Sequence, residues 1–150
     1  MASVPDFSLP GSDGNTYSPQ SLQGRWYVLY FYPKDNTPGC TTEACDFRDQ
    51  FARLSGHGVT VLGVSPDSLV SHEKFISKYE LPFVLLSDTD HALASALGAW
   101  GPKKFMGKEY DGIIRSTFLI NSQGEVVREW KKVKVKGHVD EVLAALEELV

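Results

Sequence analysis

The sequence predicts an α/β fold, a mixed β-sheet flanked by helices, with an N-terminal β-hairpin. Three observations predict it. Two short runs, Trp26–Tyr32 (WYVLYFY), apolar and aromatic throughout, and Val59–Val64 (VTVLGV), have the length and β-branched or aromatic content of strands buried on both faces. Segments with helical periodicity separate these runs from one another and from later strands. The chain then closes with a hairpin and an amphipathic helix, so the sheet carries strands of both directions.

In chain order, DFSLPGSDGNTYSPQSLQG is dense in turn residues and predicts a short hairpin with Ser12-Asp13-Gly14-Asn15 at its tip. The strand Trp26–Tyr32 follows. Thr41–Ser55 is predicted to be helical, and Cys40, Ala44, Phe47, Phe51 and Leu54 recur at intervals of four, three, four and three on one face. Val59–Val64 is the second buried strand, Ser68–Tyr79 a helix, Phe83–Leu86 a strand and Asp90–Leu97 a short helix. Ser116–Ile120 and Val126–Trp130 are strands joined by a turn at Asn121-Ser122-Gln123-Gly124. Val139–Leu149 is a helix with Val139, Val142, Leu143, Leu146 and Leu149 on one face.

Length and composition bound the function. The 150 residues, 42% of them hydrophobic, suit one domain over residues 1–150 with a full core. A net charge of −4 argues against nucleic acid as a partner. No apolar run is long enough to span a membrane. MASVPDFSLPG has neither the basic start nor the apolar centre of an export signal, so a cytoplasmic location is expected. No long apolar stripe calls for a partner copy, which makes a monomer the expectation. His57, His72, His91 and His138 lack metal-ligand spacing, and neither a metal nor a cofactor is expected. Gly101–Lys108 (GPKKFMGK) has the wrong glycine spacing for a phosphate loop, and Glu109 stands where Ser or Thr belongs. The lysines of Arg128–Lys136 (REWKKVKVK) are expected on the solvent face of an edge strand, guarding it against pairing.

Chemistry concentrates in Phe31–Cys45 (FYPKDNTPGCTTEAC), which holds both cysteines of the chain at C-x₄-C spacing. Thr37 is a good N-cap, and Pro38 suits the first helical position. Cys40 is then the third residue of the helix, where unpaired N–H groups and the helix dipole favour an anion. A thiol there is more easily ionised, and the thiolate is the nucleophile. Cys45 is rotated by about 140° from Cys40 and is expected to be the more exposed. In an intact helix their Cα atoms are roughly 8–9 Å apart, whereas a disulfide needs less than about 7 Å. Either the two sulfurs never bond, or the first turns unwind. Buried, inert cysteines remain the alternative on spacing alone. A general thiol–disulfide oxidoreductase would use C-x-x-C at a helix start, which this chain lacks. A redox sensor that signals by unfolding the helix is a further alternative.

PKDNTPGCTTEACDFRD resembles the active-site segment of the peroxiredoxins, and among them the peroxiredoxin Q group, also called bacterioferritin comigratory proteins. Pro33, Thr37 and Cys40 meet the pattern P-x-x-x-T-x-x-C, and Cys45 five residues on is the mark of the group. PDFSLP, VLGVSPDS, FVLLSD, GIIRSTFLI and VKGHVDEVL extend the resemblance along the chain. The resemblance implies a thioredoxin-like fold and thiol-dependent reduction of hydroperoxides. It implies that Cys40 is the peroxidatic and Cys45 the resolving cysteine. Thr37 would donate its hydroxyl to the peroxide, Pro33 would shield the site, and Arg115 would be the active-site arginine. The partners implied are a hydroperoxide substrate and thioredoxin or a glutaredoxin-like reductant. Glu43, three residues after Cys40, is expected to be a solvated or hydrogen-bonding helix residue.

Overall fold

A computed structural model describes residues 2–149, the side chain of Phe105 excepted. Its centre is a five-stranded mixed sheet. β3 (Trp26–Phe31), β4 (Val59–Ser65) and β5 (Val84–Ser87) run parallel, while β8 (Ser116–Ile120) and β9 (Val126–Trp130) add antiparallel strands, in the order β5-β4-β3-β8-β9. Alternation along β3 divides the core. Val28 and Tyr30, with Tyr32 just beyond the strand, face one side, and Tyr27, Leu29 and Phe31 face the other, all of them buried.

On the first side pack α1 (Pro38–Asp49), α2 (Phe51–Gly56), α3 (Leu69–Tyr79) and α5 (His138–Leu149), through Ala44, Phe47, Leu54, Phe75, Val142 and Leu146. The N-terminal segment and α4 (Ala92–Ala96) cover the second side through Phe7, Leu22, Leu93 and Ala94. The predicted N-terminal hairpin is present as β1 (Leu9–Pro10) and β2 (Thr16–Tyr17), with Leu9 opposite Tyr17.

Three expectations need correction. The helix predicted to run unbroken to Ser55 is two helices. Gln50, with ψ of 7°, turns the chain, yet its carbonyl still accepts from the N–H groups of Arg53 and Leu54 at 3.1 Å. The apolar stripe survives the break, with Phe47 and Leu54 buried and Phe51 half-buried. The predicted short helix Asp90–Leu97 is only Ala92–Ala96, because His91 takes a left-handed φ of 50° and the Asp88 carboxylate accepts from the N–H groups of Leu93 and Ala94. The lysines after Trp130 do not line an edge strand. β9 ends at Trp130, and Lys131, Lys132, Lys134 and Lys136 lie in the connection to α5, where Lys131 Nζ donates to Leu97 O at 2.6 Å.

One element is additional. β6 (Trp100–Phe105) and β7 (Lys108–Ile113) form a separate two-stranded hairpin. Met106 and Gly107 turn it with φ of 51° and 81°, the mirror-image turn that suits hairpin twist. Methionine is an uncommon first residue of such a turn, which is why the sequence signal was weak.

Candidate active site

The site forms where β3 ends. The chain leaves Phe31, passes through the turn Tyr32–Thr37 and enters α1 at Pro38. Active sites of open α/β sheets lie at this C-terminal edge of the strands. Thr37 occupies the N-cap position and Pro38 opens the helix, which makes Cys40 its third residue, as the sequence predicted. The Thr41 N–H makes the first helical bond, to Thr37 O at 2.8 Å, so the N–H groups of Gly39 and Cys40 lie ahead of the ladder. Cys40 itself is 2% exposed. Phe47, one side of its apolar surroundings, stacks on Tyr30 with ring centroids 4.6 Å apart.

Arg115 reaches Cys40 from a distant part of the chain. It immediately precedes β8, whose Ser116 lies opposite Phe31, so sheet pairing sets it beside the end of β3. Its carbonyl accepts from the Val133 N–H at 2.9 Å, which fixes the backbone there. Nη2 donates to Cys40 Sγ at 3.1 Å, and Nη1 donates to Glu43 Oε1 at 2.6 Å. Gly39 lies against the guanidinium, where a Cβ would stand 3.4 Å from Nη2, in ordinary contact. A fixed positive charge against sulfur stabilises negative charge developing on an attacked oxygen.

Glu43 is not solvated. It is fully buried, and its Oε2 has no partner among the described residues. Burial pushes its carboxyl up to about 7, against the pull of Arg115. The Arg115 guanidinium is depressed by burial, but Glu43 and Cys40 more than offset this and the net shift is upward. The spacing of three from Cys40, one helical face, was the available signal for Glu43. Lys103 on the hairpin is shifted down by burial and by the like charge of Arg115.

Thr37 stands at the N-cap but does not cap with its side chain. Its hydroxyl instead donates to Lys34 O at 2.8 Å. The hydroxyl hydrogen is thereby used, and the oxygen is left as an acceptor. Pro33 is half-buried at the start of the same turn. Cys45 is half-buried, and both cysteines are free thiols on one helix, α1. Among the described residues no group of three or more His, Cys, Asp or Glu could hold a metal ion, and no helix is long and apolar enough to cross a membrane. His72 and His138 are buried, on Asp35 and Thr117 respectively. The Asp35–His72 contact had no counterpart in the sequence reading.

The profile of the AhpC/TSA family matches residues 2–129. Peroxiredoxin Bcp of Bacillus subtilis is 52% identical over 146 residues, 97% of this chain and 93% of that one. Peroxiredoxin Bcp of Escherichia coli is 45% identical over 145 residues, again 97% of this chain and 93% of that one. Peroxiredoxin Q of Xanthomonas campestris superposes with a TM-score of 0.90 at 46% identity, covering 95% of this chain and 90% of its own. A further structure of that bacterium's bacterioferritin comigratory protein concerns its alkyl peroxide reduction. These likenesses extend to the thioredoxin-like fold as a whole.

Proposed function

The chain belongs to the AhpC/TSA family and is a thiol-dependent peroxidase, and from that premise we propose that Cys40 is the attacking sulfur and Cys45 the sulfur that resolves its product. The observation that carries the assignment is the 3.1 Å contact of Arg115 Nη2 with Cys40 Sγ at the N-terminus of α1. Among the described residues no guanidinium hydrogen-bonds to the sulfur of Cys45, which lies farther along the helix.

The Cys40 thiolate attacks the terminal oxygen of a hydroperoxide. An S–O bond forms to that oxygen, which keeps its hydrogen in the sulfenic acid, the O–O bond breaks, and the departing alkoxide or hydroxide takes a proton from water. Arg115 and the N–H groups of Gly39 and Cys40 stabilise charge on the oxygens. The Thr37 hydroxyl acts as an acceptor of the hydroperoxide O–H, because its own hydrogen is held by Lys34 O. Pro33 shields the sulfur from water. Cys45 then attacks the sulfenic acid of Cys40, forming S–S and releasing water. The helical distance of roughly 8–9 Å requires the first turns of α1 to open for this step. A thiol reductant restores both sulfurs by exchange, and we assign this to thioredoxin or a glutaredoxin-like dithiol. Hydrogen peroxide and organic hydroperoxides are the substrates. Residues 1–150 act as one domain, a monomer, in the cytoplasm.

Two Xanthomonas structures carry serine at cysteines that lie farther apart in their chain than Cys40 and Cys45 do here. The pairing is therefore tested on this chain's own two cysteines. Mass spectrometry after one equivalent of peroxide is expected to find a Cys40–Cys45 crosslink. Cys45→Ser should keep the first oxidation and accumulate a sulfenic acid that dimedone traps. Cys40→Ser should abolish oxidation, because a serine hydroxyl is not ionised near neutral pH. Equal loss of the first step in both variants would reverse or remove the assignment.

A further inference from the structure

Behind the turn that carries Thr37 lies a buried polar cluster that the chemistry above does not use. Asp35 is 7% exposed and its carboxylate meets three groups. Tyr32 OH donates to Oδ1 at 2.6 Å, Ser71 OH donates to Oδ2 at 2.8 Å, and His72 Nδ1 lies 2.8 Å from Oδ2. The Asp35 N–H donates to Asp67 Oδ2 at 2.8 Å, which ties the backbone of the turn to the β4–α3 connection as well.

His72 has no exposed surface, and its other ring nitrogen, Nε2, lies 3.0 Å from Leu86 O. A backbone carbonyl can only accept, so Nε2 carries a hydrogen. A carboxylate facing a bare ring nitrogen at 2.8 Å would set lone pair against lone pair in a dry site, so a second hydrogen lies between Nδ1 and Oδ2. The two residues thus hold two hydrogens, and as a unit they carry no net charge. Loss of His72 would leave the Asp35 carboxylate as an uncompensated buried anion beside the turn.

The tie acts on a strained piece of chain. Asn36, between Asp35 and Thr37, has a left-handed φ of 59°, a conformation that asparagine tolerates better than most residues. The far end of α3 holds it there, since Tyr79 OH and Lys78 Nζ donate to Asn36 Oδ1 at 3.1 and 3.4 Å. This reversal is what brings the Thr37 hydroxyl back onto Lys34 O.

We propose that His72 and Asp35 are a positioning pair for peroxide reduction: by fastening the turn to α3 and β5 they keep the Thr37 hydroxyl hydrogen on Lys34 O and its acceptor face on the hydroperoxide. This rests on the reading of Thr37 given under Proposed function. Neither residue touches substrate, and both act through Thr37.

The test is a double-mutant cycle on the reduced full-length protein, read by the rate of Cys40 oxidation by hydrogen peroxide and, separately, by iodoacetamide alkylation of Cys40 in a Cys45→Ser background. His72→Gln should slow peroxide oxidation about 10- to 100-fold, as a misplaced positioning group does. Alkylation, which needs the thiolate but not Thr37, should change by less than about twofold, and in a Thr37→Val background His72→Gln should slow oxidation by less than about twofold further. Parallel loss of oxidation and alkylation, or effects of His72→Gln and Thr37→Val that multiply, would overturn the pair's role. If Thr37→Val alone leaves oxidation unchanged, the reading of Thr37 falls and the pair's role with it. Should His72→Gln fail to fold, Asp35→Asn enters the same cycle with the same outcomes.

Discussion

At the scale of single residues, the site depends on a buried acid that the sequence does not advertise. Glu43 shares the Arg115 guanidinium with Cys40, and burial holds its carboxyl up to about 7 from an ordinary value of 4.5. Between those values the folded chain binds the proton more tightly than the unfolded chain. Its contribution to stability is therefore full below 4.5 and lost as pH rises through about 7. Glu43→Gln keeps an acceptor for Arg115 and removes the charge. From about pH 5 to about pH 8, urea unfolding should show the variant gaining about 2 kcal/mol on the parent. Parallel curves would mean that Glu43 is ionised throughout. The same contact changes what Arg115→Ala reports. That variant leaves the buried Glu43 carboxyl without its cation, so stability and activity should fall together. Arg115→Ala with Glu43→Gln should recover much of the stability while peroxide oxidation stays at least about 100-fold slow. If oxidation recovers too, Arg115 is structural.

At the scale of elements, the proposed roles of the two cysteines require α1 to be stable enough to hold Cys40 among donors and weak enough to release it to Cys45. Its first turn has features of such a compromise. The Thr37 side chain does not cap it, and the Thr42 hydroxyl donates back to Pro38 O at 3.0 Å, a bond that slightly disfavours regular helix. Thr41 and Thr42 are also poorer helix formers than alanine. Thr41→Ala with Thr42→Ala should therefore slow disulfide formation. The sulfenic acid then waits longer for Cys45, and a second peroxide should convert more of it to sulfinic acid. Mass spectrometry across a peroxide titration measures this. Unchanged sulfinic acid would show that opening of α1 is not the slow step.

At the scale of the whole molecule, His138 joins three elements. Its ring lies edge-on to Phe47 of α1 at 6.4 Å and to Trp130 of β9 at 5.7 Å, and Nε2 is 2.7 Å from Thr117 Oγ1 of β8. Burial, with the charge of Arg115 adding, pushes it down to about 4 from 6.5. The folded chain keeps it neutral while the unfolded chain takes a proton below 6.5, so its contribution is full above 6.5 and lost as pH falls through about 4. His138→Gln should reduce the stability lost between about pH 7 and about pH 4.5 by about 2 kcal/mol. Equal losses in both proteins would place the acid sensitivity in the carboxylates alone.

Local features of the sequence determined most elements and the place of Cys40. β8 and β9 have the predicted bounds, Ser116–Ile120 and Val126–Trp130, because apolar runs and turn residues act over a few neighbours. Proline at the first helical position set the start of α1, and with it the third-residue position of Cys40. The resemblance named Arg115, but its contact with sulfur depends on β8 pairing with β3, across 75 positions of sequence. Tertiary structure alone decided that Glu43 is buried, that the Thr37 hydroxyl turns to Lys34, and that Asp35 meets His72 across 37 positions. The physical reason is that helix periodicity and capping are local, whereas a charged group's burial and partner are set by the elements packed against it. A carboxylate on a helix face reads the same in sequence whether it meets water or an arginine from another strand.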